Sequence, residues 1–214
     1  MKRRISNPLA LAALAQLYER PMHPYEIAAQ MRSCRVEANI KLNYGSLYAV
    51  VDGLRREGLI VPQEVNRSGR LPERTIYAIT DQGRTEFMSW LRDLLRTPVK
   101  EYTQFAAGLS FIAILPPAEA AQLLEERAQL LESRIREQRS QLDAVMAQGI
   151  ARLFLVEDEH GIILQEAEVA WLRQLIGEIK DGTFTVSKEG RLMWRGLLDM
   201  GYEVTEEGTI HAVS

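Results

Sequence analysis

The stretch NYGSLYAVVDGLRREGLI, residues 43–60, decides how the rest of the chain is read. Leu47, Val50, Val51 and Leu54 recur at steps of three, one and three, which sets them on one helical face, and Gly58 supplies a left-handed stop before an apolar strand. With the apolar side centred on Leu47 and Leu54, the residues Gly45, Ala49, Asp52 and Arg56 point outward, flanked by Tyr44 and Tyr48. Such a helix is either an ordinary amphipathic core element or one whose outer face is kept small so that it can enter a groove.

Its neighbours favour the groove. Upstream, Ser6-Asn7-Pro8 is a helix-start signature for a first helix over residues 8–18, and Pro24 with Glu26 in the first turn starts a second that runs to about Arg32. Tyr25, Ile27, Ala28 and Met31 are expected to supply its apolar packing. Downstream, VPQEV from Val61 and RTIYAIT from Arg74 read as strands, and NRSGRLPE between them as a hairpin with a basic tip. Thr80 caps a fourth helix, DQGRTEFMSWLRDLL, and Pro98 closes the unit.

Three short helices followed by a basic hairpin is the order of a winged helix-turn-helix, whose third helix lies in the DNA major groove while the hairpin reaches the backbone or the adjoining minor groove. The candidate DNA contacts are therefore Lys41, Asn43, Tyr44, Gly45, Ser46 and Tyr48, with Arg67, Arg70 and Arg74 on the wing. Unpaired N–H groups at the start of the third helix, with the positive end of its dipole, are expected to face phosphate.

Beyond Pro98 the pattern changes. TQFAAGLSFIAIL reads as helical, and Pro116-Pro117 opens a long helix to about Gln148. Leu124, Ala128, Leu131, Ile135, Gln138, Leu142 and Val145 alternate steps of four and three, the a/d seam of a packed helix pair. A partner seam with Val169, Leu172, Ile176 and Ile179 lies between about Ile150 and Lys180. The two helices either satisfy each other within the chain or form half of a symmetric bundle, and Leu124, Leu131, Ile135, Leu142, Leu172 and Ile176 are the candidate dimerisation residues. In the tail, TFTVS, GYEVT and GTIHAV look strand-like, and RLMWRGLLDM between them looks like a short amphipathic helix. The expected architecture is mainly α: a winged helix-turn-helix with a two-stranded wing over residues 1–98, a long-helix dimerisation and effector domain over 99–180, and a small α/β-like tail over 181–214.

Composition sets bounds around this reading. The 214 residues are 46% hydrophobic and 26% charged, in the range of globular proteins. The net charge of -3 conceals an asymmetry: residues 1–96 hold 15 Lys+Arg against 10 Asp+Glu, and residues 97–214 hold 11 against 19. A basic front half and an acidic back half suit a chain whose front half alone meets a polyanion. Cys34 is the only cysteine, so no internal disulfide forms, and a reducing cytoplasmic location is expected. MKRR before an apolar run superficially suggests a secretion signal, but the cap and proline at residues 6–8 favour a first helix, and no apolar run reaches membrane-spanning length. His23, His160 and His211 are scattered and no nucleophile motif or phosphate-cradling glycine loop is present, so neither a cofactor, a metal nor catalysis is expected. Glu157-Asp158-Glu159-His160 reads as a solvated charge cluster more readily than as a cation site. Trp90 and Trp171 are the candidates for lining an effector pocket, against the alternative of core packing.

The residues also resemble a known family. YGSLYAVVDGLRREGLI, the basic turn SGRLPER and then TIYAITDQGR look like the PadR family of bacterial transcription regulators, with its Gly-Ser-Leu-Tyr, Leu-x-x-Glu-Gly-Leu and Tyr-x-x-Thr-x-x-Gly-Arg signatures. HPYEIAAQM before these motifs and, more loosely, LPPAEAAQLLEER and EVAWLRQLI after them extend the resemblance over roughly residues 5 to 180. It implies a homodimeric repressor that binds double-stranded DNA at a pseudo-palindromic operator, is joined through its C-terminal helices and is relieved by a small-molecule effector. The resemblance carries the recognition contacts onto Asn43, Tyr44, Ser46 and Tyr48, and the wing contacts onto Arg67, Arg70 and Arg74. Two other classes remain open: a winged-helix protein-interaction module without a DNA target, and an enzyme that uses the C-terminal half.

Overall fold

The computed structural model describes residues 7–34, 40, 43–63, 75–188, 190–205 and 209–212. The chain divides into two compact units, residues 1–100 and 101–214. Residues 181–214, expected as an appended tail, fall within the second of these units.

In the first unit, each helix start follows from a local hydrogen bond. Asn7 Oδ1 accepts from the Leu9 N–H at 2.8 Å to open α1, Pro8–Glu19. His23 forms a capping box at α2, Pro24–Ser33: its Nδ1 accepts from the Tyr25 N–H at 3.1 Å, and Glu26 Oε2 accepts from the His23 N–H at 2.8 Å. The opening stretch forms α3, Tyr44–Arg56. After it come β1, Ile60–Gln63, and β2, Ile76–Ile79, paired antiparallel with Ile60 opposite Ile79. Met22 and Tyr77 exchange backbone hydrogen bonds of 3.0 Å, so the link between α1 and α2 extends the base of the wing. Leu14, Leu17, Met22, Ile27, Met31, Leu47, Leu54 and Ile60 are fully buried in one core, which α4, Asp81–Arg96, closes with Phe87 and Trp90.

The entry to α4 is the tightest place in this unit. Thr80 Oγ1 accepts from the Gly83 N–H at 3.0 Å and donates toward the carbonyls of Gly58, at 2.8 Å, and Leu59, at 3.1 Å. The Thr80 N–H also reaches the Leu59 carbonyl, at 3.0 Å. A Cβ at position 83 would stand 2.1 Å from that same Leu59 oxygen and 2.8 Å from Ile79 Cγ1. One turn on, Arg84 donates to the Tyr18 carbonyl at 3.2 Å and lies over the Tyr18 ring, which packs against Phe87 at 5.4 Å. The Thr-x-x-Gly-Arg motif therefore pins α4 to the α3–β1 junction and to α1.

In the second unit, the apolar run after Pro98 is not one helix. It breaks into α5, Gln104–Leu109, and a single 3-10 turn, Ile112–Ile114. The Ser110 N–H and hydroxyl both turn back to the Ala106 carbonyl and end the α-helix there. Pro117 opens α6, Pro117–Ala147, which pairs with α7, Val156–Lys180. Leu124, Ala128, Leu131, Leu172, Ile176 and Ile179 form the buried seam between them, so the two helices pair within the chain. Ile135 is buried and Leu142 half-buried further along. The weak seam position Gln138 accepts from Gln165 Nε2 at 2.8 Å, a polar layer in an otherwise apolar contact. Ion pairs flank the seam: Arg127 with Glu168 at 2.6 Å, Arg139 with Glu166, and Arg173 with both Glu125 and Glu132.

The tail departs from expectation in one element. RLMW is not helical: Arg191–Trp194 is a strand, β4, paired with β3, Thr185–Lys188, in the register Thr185 opposite Trp194. Gly190, at φ 81°, allows the tight reversal, and the strand buries Met193. Only Arg195–Asp199 remains as helix α8, followed by the hairpin of β5, Tyr202–Val204, and β6, Ile210–Ala212. Trp194 Nε1 donates to the Leu115 carbonyl at 2.7 Å, and buried Thr185 donates to the Ile179 carbonyl at 2.7 Å, which ties the first hairpin to the long helices.

Two predictions follow from this packing. Gly83→Ala should destabilise the first unit by about 2 kcal/mol or more, because backbone and not a flexible side chain occupies the space; the urea midpoint of the purified protein measures it. The Arg173 hydrogen bond, and secondarily that of Gln129, holds the Glu125 carboxyl below the usual glutamate range. A lowered folded-state value gives stability that is present above the unfolded glutamate value, about 4.3, and is lost as pH falls through the folded value. Wild-type thermal midpoints should therefore drop more between about pH 6 and pH 3 than those of Arg173→Met, and parallel curves would refute the contribution.

Candidate nucleic-acid interface

The start of α3 is built by Asn43, whose side-chain oxygen accepts from the N–H groups of Gly45, at 2.9 Å, and Ser46, at 3.4 Å. These two donors are thus occupied within the chain, and the expectation that they stand open to phosphate is corrected. The dipole at this helix end still favours an anion nearby. Leu47, Val51 and Leu54 fill the core, while Tyr44, Gly45, Ser46, Tyr48, Ala49 and Asp52 are exposed. Among the described residues, a Cβ on Gly45 would meet only Asn43 Oδ1, at 3.4 Å, an ordinary contact.

Further along the same face, Asp52 is bracketed by two cations. Arg55 reaches one carboxylate oxygen at 2.9 Å and Arg56 the other at 3.1 Å. The Arg55 hydrogen bond, with the charges of Arg56 and Arg55 behind it, holds the Asp52 carboxyl below the ordinary aspartate range, and the same contact raises Arg55. Asp52 therefore stays ionised and partly offsets the positive charge of the helix C-terminal half.

Two residues missed by the sequence reading join this surface from α2. Tyr25, expected to pack in the core, is 59% exposed, because Ile27, Ala28 and Met31 take the buried face instead. Its ring stacks on Tyr44 at 6.3 Å with an interplanar angle of 14°. Arg32, seven residues on and so on the same side of α2, lies over the Tyr44 ring at 4.6 Å and donates to the Tyr44 hydroxyl. The signal available in the sequence was this i, i+7 pair off the apolar stripe. Lys41, Arg67, Arg70 and Arg74, the other expected contacts, lie outside the described residues.

The remaining candidates separate cleanly. Trp90 is 5% exposed within the first core, which removes it from the lining of an open pocket. Trp171 stays at the surface, edge-on to Phe105 at 6.3 Å, and Arg127 stacks over the other ring at 3.7 Å. Glu159 of the acidic cluster is taken by Arg152 at 2.8 Å, and Glu157, Asp158 and Glu159 sit in the first turn of α7, where negative charge complements the helix dipole. Among the described residues no group of three His, Cys, Asp or Glu gathers to hold a metal ion, and no helix is long and apolar enough to cross a membrane.

Comparison of the fold with solved structures places these surfaces in context. Bacillus subtilis PadR in complex with operator DNA shares 20% identity with this chain, with 81% of this chain and 99% of that one covered and a TM-score of 0.61. Bacillus subtilis PadR in complex with p-coumaric acid gives 18% identity, 80% and 98% coverage and a TM-score of 0.65. The Vibrio cholerae virulence activator AphA gives 17% identity, 81% and 98% coverage and a TM-score of 0.58. At these identities the likeness is one of fold, and about a fifth of this chain extends beyond what the three structures cover. No curated protein matches the chain. Residues 13–89, within the unit built from α1 to α4, match the Transcriptional regulator PadR-like family.

Proposed function

We propose that the protein is a homodimeric DNA-binding transcriptional regulator, a repressor released by a small-molecule effector, with no catalytic role. The observation that carries this reading is Gly45. Glycine in a helix costs up to about 1 kcal/mol relative to alanine, and among the described residues nothing crowds a Cβ at this position. An exposed helical glycine with no internal reason is accounted for by close approach of something outside, and the bare surface of Gly45, Ser46 and Ala49 between two tyrosines suits a DNA groove. The operator DNA held by the Bacillus subtilis neighbour supports the same partner. Tyr44, Ser46 and Tyr48 then set register on phosphates, aided by Lys41 and by Arg67, Arg70 and Arg74 of the wing. A winged-helix interaction module without a DNA target would instead fail to bind duplex DNA even at low salt.

A dimer places two copies of α3 about 34 Å apart, one turn of DNA, on a pseudo-palindromic site. Because Leu124, Leu131, Leu172 and Ile176 are covered within the chain, the partner subunit takes other faces of the same helices. Leu123 and Leu130 repeat at a heptad interval on α6, and Ile163 and Leu164 stand on α7, all exposed. For the effector, Trp171, Phe105 and Arg127 offer aromatic faces beside a guanidinium, a combination suited to a planar acid such as the p-coumaric acid bound by the Bacillus subtilis neighbour. The Vibrio cholerae neighbour is an activator, so a promoter fusion assayed with and without the protein decides the sign of regulation.

Gly45→Ala should leave the fold intact or raise its stability by about 0.5 kcal/mol, yet weaken operator binding by about tenfold. Thermal melting and binding to genomic fragments selected by the wild-type protein read the two effects separately, and unchanged affinity would remove Gly45 from the interface. Leu130→Glu, on a side chain already 70% exposed, should sediment as a folded monomer, whereas an intact dimer would place the interface elsewhere.

A further inference from the structure

We infer that Asp52 is the specificity-determining side chain of α3 and that its carboxylate reads the exocyclic amine of one cytosine in each half-site. The inference deepens the DNA-binding reading and rests on it. Three observations carry it. Gly45, Ala49, Asp52 and Arg56 fall within about 60° of one another around the helix, opposite Leu47, Val51 and Leu54, and all four are exposed. Gly45 and Ala49 bring no side-chain donor or acceptor, so the acceptor that a base edge meets along this stripe is Asp52. Its two oxygens are held from the following turn, Oδ1 by Arg55 Nη2 at 2.9 Å and Oδ2 by Arg56 Nε at 3.1 Å.

The chemistry of the carboxylate selects the base. An ionised carboxylate accepts and cannot donate, and the Arg55 hydrogen bond, which holds Asp52 below the ordinary aspartate range, keeps it in that form at neutral pH. The two arginine bonds leave about two of its four lone-pair sites for a ligand. Phosphate repels such a group, as do the N7 and O6 of guanine and the O4 of thymine, so the major-groove donors left are the amines of cytosine and adenine. Adenine sets its N7 lone pair beside the amine, whereas cytosine presents the amine alone, and cytosine is therefore preferred. A short side chain reaches a base only where the helix lies close. Gly45 and Ala49 permit that approach, and the lean of helical side chains toward the N-terminus carries residue 52 over the turn of Ala49. The two guanidiniums offset the repulsion between the carboxylate and the phosphates that line the groove, and they restrict its rotamers before DNA arrives.

The test uses the full chain to select duplexes from a pool randomised over about 30 base pairs, enough for two half-sites one turn apart, and then measures binding to the selected site by fluorescence anisotropy. The wild-type protein should select cytosine at one position in each half-site. Asp52→Ala should lose that preference and keep the others. Asp52→Asn, whose amide pairs with the N6 and N7 of adenine, should move the preference to adenine. N4-methylcytosine at that position keeps the N–H that pairs with guanine and replaces the one in the groove. It should weaken wild-type binding by about tenfold and leave Asp52→Ala binding unchanged. A wild-type selection with no fixed cytosine would overturn the inference and leave the DNA reading in place. So would an Asp52→Ala protein, shown to be folded by thermal melting, that keeps the cytosine preference or gains affinity for every duplex alike. A wild-type protein that binds no duplex at low salt would overturn both.

Discussion

The first unit depends on a single close approach, that of the backbone at Gly83 to the carbonyl of Leu59. Leu59 is where α3 has just ended, at Gly58 with φ 71°, and where the wing begins. Thr80 binds the carbonyls of both residues and caps α4 with the same hydroxyl. The end of α3, the start of the wing and the start of α4 are therefore three consequences of one knot. A side chain at position 83 would force α4 away from β1, which would withdraw Phe87 and Trp90 from the core beneath α3. The orientation of α3, the element proposed to meet DNA, is thus set by residues distant from its outer face.

That dependence explains which parts of this unit were legible in the sequence. Caps and stops are local, so Asn7, Pro24, Thr80 and Gly58 announced their helix boundaries without any knowledge of tertiary structure. The seam between α6 and α7 was equally plain, because its period reports one buried face, but a period cannot say whose face covers it, and here it is covered within the chain. Tyr25 was misjudged for a related reason: Pro24, Ile27, Ala28 and Met31 already complete the buried stripe of a ten-residue helix, and the ring beside them faces outward. RLMW in the tail failed because a four-residue strand held by hairpin pairing leaves too short a pattern to separate from a helical turn.

The second unit balances apolar and ionic contacts differently. Arg127, Arg139 and Arg173 on one helix or the other each meet a glutamate across the pair, and these contacts join side chains far apart in the sequence. Exposed pairs of this kind add little stability singly, but they favour one register, since sliding one helix by a turn would part Glu168 from Arg127 and set it among leucines. The polar layer of Gln138 and Gln165 works in the same sense at the weaker end of the seam. A register held this firmly also fixes the outer faces bearing Leu123, Leu130, Ile163 and Leu164, and a two-fold partner requires such a fixed face.

The outer face of α3 shows how such a surface can bind DNA while reading few bases. It carries no long neutral amide beyond the cap, and Asn43 already spends its side-chain oxygen on the helix N-terminus. The basic residues in its last turns are held by Asp52, which tempers the attraction of Arg55 and Arg56 for any phosphate indiscriminately. What remains at the front is a small-residue surface between tyrosines, backed by the Arg32 and Tyr25 cluster on α2. A surface of that composition gains affinity from the backbone and discriminates through the shape that the duplex must take to let the helix in. On the proposed DNA-binding reading, the identity of the bases matters chiefly at the steps where the groove has to open or narrow, which puts the determinants of site choice as much in the deformability of the DNA as in the side chains of α3.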